Sequence, residues 1–249
     1  MRIAVFQLIY AIALITTGCV EHDEFTQKQS IAGKQPESNT ERLEELPDSL
    51  ERYLITKGLT DVGSLDSTIH VALHYSTEHN FLGKPMYQGL KRCYLPCEVA
   101  IKLCNAQWYL KQQYPYYSIV VFDAVRPLSI QKNMWDELDM PASKKINYLA
   151  HPSDLSLHNY GAAVDVGIIS NDGVLLNMGT AFDSFDSLSE PKWETHFLAL
   201  KKLDTAAYKN RMVLRRVMLK AGFTAITSEW WHFNATDKSS AALKYLLIE

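Results

Sequence analysis

Four side chains in this sequence have the types and spacing that metal-assisted hydrolysis requires. His158 and Asp165 lie in the run Ser156-Leu157-His158-Asn159-Tyr160-Gly161-Ala162-Ala163-Val164-Asp165, and Glu229-Trp230-Trp231-His232 follows much later. A catalytic zinc ion takes three protein ligands of the histidine and carboxylate kind and keeps one position open for water. His158, Asp165 and His232 meet that need with one Zn2+ per chain, and Glu229 is left beside the metal with no ligand duty. Zinc lowers the pKa of water from ~15.7 to about 7 and so supplies a nucleophile at neutral pH. Glu229 can then work as general base, taking a proton from the water and returning it to a leaving amine. The developing oxyanion needs positive charge nearby, and Arg126, in Asp123-Ala124-Val125-Arg126-Pro127, is the candidate.

Other polar residues lack this pairing. His22, His70, His74, His79 and His151 have no ligand-like spacing, and Glu190, Glu194 and His196 read as a solvated face. Trp230 and Trp231 read as core or pocket wall. Cys93, Cys97 and Cys104 are spaced C-x3-C-x6-C, but Pro96 and a helical pattern speak against a metal site. They read as small buried residues with at most one disulfide among them.

These groups need elements to hold them. Residues seven apart on an unbroken strand point to opposite faces, so His158 and Asp165 require a bend, expected at Gly161. Glu229 and His232, three apart, share a face only where the backbone turns. A short helix is expected at 48–57, and alternation from Thr68 to Tyr75 predicts a half-buried strand. Pro96 opens a helix whose stripe Val99, Leu103, Ala106, Leu110 runs to about Gln113. Ser118–Asp123 is a buried strand by its β-branched run, and Ser129 can cap a helix to about Leu138. Val164–Ile169 is strand-like, and a turn at Asn171-Asp172-Gly173 leads to a second strand near Val174–Leu176. A helix over Thr205–Ala221 stops at Gly222, and Thr224–Thr227 is a short strand. No βαβ rhythm is visible, so the class expected is α+β: a compact single domain with a central antiparallel sheet flanked by helices and the zinc site in a cleft.

The N-terminus has another character. Arg2 precedes an uncharged apolar run ending Thr16-Thr17-Gly18-Cys19, the layout of a secretory signal over residues 1–18. Cys19 after Gly18 resembles a lipobox, in which that cysteine is lipidated. A plain signal or an uncleaved anchor are the alternatives, and all three put the body outside the cytoplasm, in the cell envelope facing the periplasm. Val20 after Cys19 points to the outer membrane. Residues 19–47 are polar and poor in large apolar side chains, a tether composition with a helical turn at most near Glu41–Glu45, and 48–249 form the folded domain. A formal charge of −3 with 21% charged residues excludes a nucleic-acid footprint. No obligate protein partner is evident.

The chain resembles the D-alanyl-D-alanine dipeptidases, the family that includes the vancomycin-resistance dipeptidases. The matching stretches, in family order, are Leu59-Thr60-Asp61-Val62, Asn80-Phe81-x-Gly83, Arg126-Pro127, the SxHxxGxAxD run from Ser156 to Asp165, Met178-Gly179-Thr180-Ala181-Phe182-Asp183, Asn210-Arg211 to Ala221-Gly222-Phe223, and Glu229-Trp230-Trp231-His232-Phe233. The resemblance implies one zinc ion on His158, Asp165 and His232, Glu229 as base, Arg126 stabilising the transition state, and a small cavity for a free D-dipeptide. It further implies that Asp183 and Tyr75 face the substrate ammonium and that Ser156 helps to fix the dipeptide. The chain departs from the family at Ala124-Val125, where Gly-Tyr is usual, at Glu190, where histidine is usual, and at Leu82 in place of threonine.

The leading expectation is a zinc metallopeptidase that hydrolyses D-alanyl-D-alanine or a similar small D-dipeptide. A D,D-carboxypeptidase or other peptidoglycan hydrolase acting on longer, N-blocked peptides shares the zinc logic. An inactive zinc-stabilised binding protein is the alternative outside enzymes, and the presence of Glu229 speaks against it.

Overall fold

The computed structural model describes residues 49–146 and 149–249. Residues 1–18, Cys19, the 19–47 tether and the turn near Glu41–Glu45 therefore lie outside the described residues. In chain order the strands are β1 (Thr60–Asp61), β2 (His70–Val71), β3 (Tyr94–Leu95), β4 (Tyr117–Asp123), β5 (Ala163–Ser170), β6 (Thr224–Ala225) and β7 (His232–Asn234). The helices are α1 (Ser49–Thr56), α2 (Val62–Leu65), α3 (Cys97–Gln113), α4 (Leu128–Glu137), α5 (Ala142–Lys145), α6 (Glu194–Ala199), α7 (Thr205–Lys220) and α8 (Lys238–Lys244). The class is the α+β expected.

One five-stranded sheet, in the order β2-β4-β5-β7-β6, organises the domain, and β1 and β3 form a separate pair. The sheet is antiparallel except at its edge, where β2 runs parallel to β4. A parallel neighbour needs a crossover connection, here the chain through β3 and α3, which the sequence pattern did not reveal.

The long helices form where the sequence puts them. Val99, Leu103, Ala106 and Leu110 are fully buried along α3, at the spacing of one helical face, and Pro96 occupies the N-cap. Asp204 caps α7 by accepting from the N–H groups of Ala206 and Ala207, and Gly222, at φ +88°, ends it. The two helices pack on each other, α3 against β4 and α7 against β5. Val164, Val166 and Ile168 of β5 enter the same core as Leu103, Leu214 and Val217. Each such side chain contributes roughly 1.5–3 kcal/mol on burial. The alternate β5 residues, Asp165 and Gly167, turn to the other face.

Several expectations are corrected. The strand expected over Thr68–Tyr75 is only two residues long: after Ala72 donates to the Val121 carbonyl, the chain tightens into a 3-10 turn at His74–Ser76. Sequence alternation survives in burial, since Ile69, Leu73 and Tyr75 are buried, but the ladder is exchanged for a turn that drops Tyr75 toward the site. The second strand near Val174–Leu176 is a single bridge between Ile169 and Leu175. Ser129 does not cap α4, because Pro127 holds that position. The three cysteines are free, and Cys97 is exposed where burial was expected. Glu194 is buried rather than solvated, gripped by Arg211 and Arg215 of α7 at 3.3 and 2.7 Å.

Candidate active site

Sheet register builds the centre of the site. Asp123 of β4 stands opposite Asp165 of β5, and Asp165 stands opposite His232 of β7. A register shift between Val121 and Asp123 is a bulge, a device that re-aims a side chain beside a site. Three polar side chains, distant in sequence, thus form one row across three strands.

His158 joins the row from outside the sheet. It lies in a 3-10 turn, Leu157–Tyr160, capped by Ser156, whose hydroxyl accepts from the His158 N–H at 3.2 Å. Asn159 returns the bond by accepting from the Ser156 N–H at 2.6 Å, a capping box. The bend then falls at Gly161, at φ +60°. A side chain there would be strained by backbone and would meet Pro96 Cδ at 2.6 Å, so only glycine lets the chain fold His158 back toward Asp165.

Three ligand atoms converge. His158 Nε2 lies 3.4 Å from Asp165 Oδ1, His232 Nδ1 lies 2.9 Å from the same oxygen, and the two ring nitrogens are 3.2 Å apart. Zinc bonds of ~2.0–2.1 Å at tetrahedral angles put neighbouring ligand atoms roughly 3.3 Å apart, so the donor set fits one face of a zinc tetrahedron. The opposite ring nitrogens are already engaged: His158 Nδ1 with the Ala124 carbonyl at 2.7 Å, and His232 Nε2 with Asn234 Oδ1 at 2.7 Å. These partners favour the tautomers in which the converging nitrogens become acceptors once a cation displaces the proton His232 shares with Asp165, the arrangement that orients metal-ligating histidines. Among the described residues, this is the only group of three such side chains close enough to hold a metal ion.

The electrostatics are those of a crowded, buried cluster. Burial works against ionisation of Asp165, but the charges and hydrogen bonds of His158 and His232 outweigh it and hold its carboxyl well below the usual range. Burial likewise opposes protonation of His232, and Asp165 with Glu229 overcomes it, raising the imidazole to about 9. Glu229 stands apart, its Oε2 3.8 Å from His232 Nδ1, and burial lifts its carboxyl above the ordinary value. The segment Thr227–Trp231 between β6 and β7 is bent, as the three-residue Glu229–His232 spacing requires.

Arg126 is no surface arginine. It is buried, its Nε and Nη2 donate to Asp123 Oδ2 at 3.0 and 2.5 Å, and Nη2 is 3.9 Å from Asp165 Oδ2. The guanidinium lies 5.2 Å from the Tyr75 ring centroid, a cation–π distance. Its backbone is tied to the histidine turn, since its N–H donates to the His158 carbonyl at 2.9 Å.

The expected substrate residues form the other wall. Tyr75 donates to Asp183 Oδ2 at 2.8 Å. Burial, with the charges of Asp165 and Asp123, pushes the Asp183 carboxyl well above its ordinary value, against the Tyr75 hydrogen bond and Arg126. Asp183 adopts φ +57°, an uncommon conformation for a residue with a side chain. Its loop is pinned by Arg211, which donates from Nε to the Met178 carbonyl at 2.6 Å and from Nη2 to the Leu188 carbonyl at 3.0 Å. Trp230 Nε1 donates to Thr180 Oγ1 at 2.9 Å.

Tyr75, Arg126, Ser156, His158, Asp165, Asp183, Glu229 and His232 all line one cavity of 160 Å³, walled by Leu149, Ala150, Ile226 and Trp231. Every site residue expected from sequence is there, except Cys19, which lies outside the described residues. A larger space of 590 Å³ adjoins it through Asp183, Glu229 and Trp231, and Glu190, paired with Lys192, lines that outer space. Sequence reasoning passed over Asp123 and Asn234. Asp123 had a signal in its Asp-x-x-Arg spacing to Arg126; Asn234 had none beyond standing two residues after His232.

Residues 55–246 match the D-ala-D-ala dipeptidase family. The chain is similar to the D-alanyl-D-alanine dipeptidase of Escherichia coli (strain K12), 29% identical over 188 residues that cover 76% of this chain and 90% of the relative. It is also similar to the D-alanyl-D-alanine dipeptidase of Enterococcus faecalis (strain ATCC 700802 / V583), 28% identical over 66% of this chain and 84% of the relative. A third relative, from Synechocystis sp., carries the same name and is 28% identical over 61% of this chain and 73% of its own length.

Proposed function

This chain belongs to the D-ala-D-ala dipeptidase family, and we propose that it is a zinc metallopeptidase that hydrolyses D-alanyl-D-alanine or a closely similar free D-dipeptide. The observation that carries the reading is the single small cavity onto which the three metal-ligand side chains, a spare carboxylate, a buried arginine and a Tyr–Asp pair all open. His158, Asp165 and His232 would hold the ion. Zinc bound there would supply a water acidified to near neutrality and a Lewis acid for the scissile carbonyl.

The chain's own groups do the rest. Glu229, lifted by burial, accepts the proton of the attacking water and delivers it to the leaving amine nitrogen, as a base whose pKa approaches the working pH does best. Arg126 donates to the oxygen on which negative charge develops, and its fixed orientation avoids reorganisation at that moment. Asp183, supported by the Tyr75 hydroxyl, accepts from the substrate ammonium. Leaving that buried carboxyl without a cationic partner is costly, which favours a free N-terminus over a blocked one. Ser156 is held at the head of the histidine turn with its hydroxyl hydrogen available to the dipeptide.

The test is turnover of D-alanyl-D-alanine by purified protein together with its metal content. Activity that disappears with a chelator and returns with zinc is expected; chelator-insensitive turnover, or none in the zinc-loaded protein, rejects the reading. One observation favours a second reading, a D,D-carboxypeptidase acting on longer peptides: the 590 Å³ space beyond Asp183 and Glu229 has room for an extended substrate. Cleavage of an N-acylated D-Ala-D-Ala peptide in preference to the free dipeptide selects it.

The apolar run before Cys19 supports export and attachment to the envelope through a lipidated Cys19. Incorporation of labelled fatty acid into the full chain, absent from Cys19→Ala, is the expected result, and equal labelling of both excludes it.

A further inference from the structure

We propose that Tyr87 is a positioning residue for the hydrolysis: through Asp123 it holds the Arg126 guanidinium toward the reacting carbonyl, an inference that rests on the role given to Arg126 above. Tyr87 is fully buried and does not line the cavity. Its hydroxyl donates to Asp123 Oδ1 at 2.5 Å. Asp123 is fully buried as well, and its other oxygen, Oδ2, receives both hydrogen bonds from Arg126.

The two oxygens of a carboxylate are interchangeable unless something distinguishes them. The Tyr87 hydroxyl does so by occupying Oδ1, which commits Oδ2 to the guanidinium. A buried oxygen without that donor seeks another partner, and the nearest cation is Arg126 itself. Arg126 also has a competing acceptor, since its Nη2 is only 3.9 Å from Asp165 Oδ2. The orientation of the guanidinium is therefore a contest between two buried carboxylates, and Tyr87 biases it toward Asp123. Burial beside Asp123 pushes the Tyr87 hydroxyl far above its ordinary pKa, so it remains a donor at any working pH. The Tyr75 ring packs against the guanidinium, its centroid 5.2 Å away. Nη1 has no protein partner among the described residues and is left for the substrate oxygen.

The consequence is a division between rate and binding. Arg126 meets full negative charge only in the transition state, so misorienting it lowers kcat and leaves KM nearly unchanged. Tyr87→Phe keeps the ring and removes the donor. It is expected to lower kcat for D-alanyl-D-alanine about tenfold, the loss typical of a hydrogen bond to a charged group, with KM and zinc content close to wild type and a thermal midpoint lowered by the loss of one buried hydrogen bond. In an Arg126→Ala background the same substitution should cost nothing further, because the group it positions is gone.

Wild-type kcat in Tyr87→Phe, or an equal loss in both backgrounds, overturns the proposal while leaving the role of Arg126 intact. Wild-type kcat in Arg126→Ala overturns that role itself. Should Tyr87→Phe not fold, Asp123→Asn carries the test from the other end of the bond. A tenfold or larger loss in kcat that vanishes in the Arg126→Ala background is expected, and an unchanged kcat overturns the proposal.

Discussion

The two walls of the cavity are built differently. On one side, Asp123, Asp165 and His232 sit in cross-strand register on β4, β5 and β7. On the other, Asp183 stands on irregular chain at positive φ, held by side chains reaching in from elsewhere: Arg211 to the Met178 and Leu188 carbonyls, Trp230 to Thr180. A backbone ladder fixes positions through many shared bonds and tolerates little adjustment. A loop pinned at a few points can be retuned by changing one pin. Chemistry and selectivity should therefore be separable: the sheet wall should govern metal and rate, the loop wall binding.

Substitutions on each wall test that division. The largest effect is expected beside the sheet wall, in the bent segment leading into β7, where Glu229→Ala should lower kcat by about 10³-fold or more and leave zinc bound; loss of metal along with activity would make Glu229 a ligand and erase the distinction. Asn234→Ala removes the acceptor that orients His232 and should weaken zinc binding by about 10–100-fold, read by competition with a chromogenic chelator. On the loop side, Asp183→Asn should raise KM for the free dipeptide by about tenfold or more with a smaller change in kcat. Because burial raises the Asp183 carboxyl, the ionised form that receives an ammonium gains population only as pH rises through that higher value. KM of the wild type should therefore fall with rising pH, and the Asn variant should lose the trend. The smallest effect belongs to Arg211→Lys, which keeps the charge near Glu194 but cannot span both loop carbonyls. KM should rise a few-fold and stability fall by ~1–3 kcal/mol, with zinc content unchanged. A kcat collapse in either loop variant would mean that the walls are coupled.

Legibility divides along the same line. The residues that could hold a metal ion were visible because their types are uncommon together and the spacing carried its own geometric demand, which Gly161 and the bent Glu229–His232 segment satisfy. The helices α3 and α7 were visible because one apolar face repeats at 3.6 residues. Glu194 was misread because its charge partners, Arg211 and Arg215, lie on a later helix, and a local pattern of charge says nothing about what will fold over it. The strand expected through Tyr75 shortened for a related reason: alternation reports which side chains are buried, not whether a neighbouring strand continues alongside.

Short stretches of sequence carried the chemical inventory, the local bend at Gly161, the apolar stripes of the long helices with their Pro96 start and Gly222 stop, and the order in which the reactive groups appear. All of these follow from interactions between residues a few positions apart. Folding in three dimensions was needed to set Asp123 across from Asp165 and Asp165 across from His232, to run β2 parallel to β4, and to bring Tyr87 to the carboxylate behind Arg126. Register between distant strands is settled by the collective burial of two faces and by a bulge at Asp123. No window of neighbouring residues contains that information.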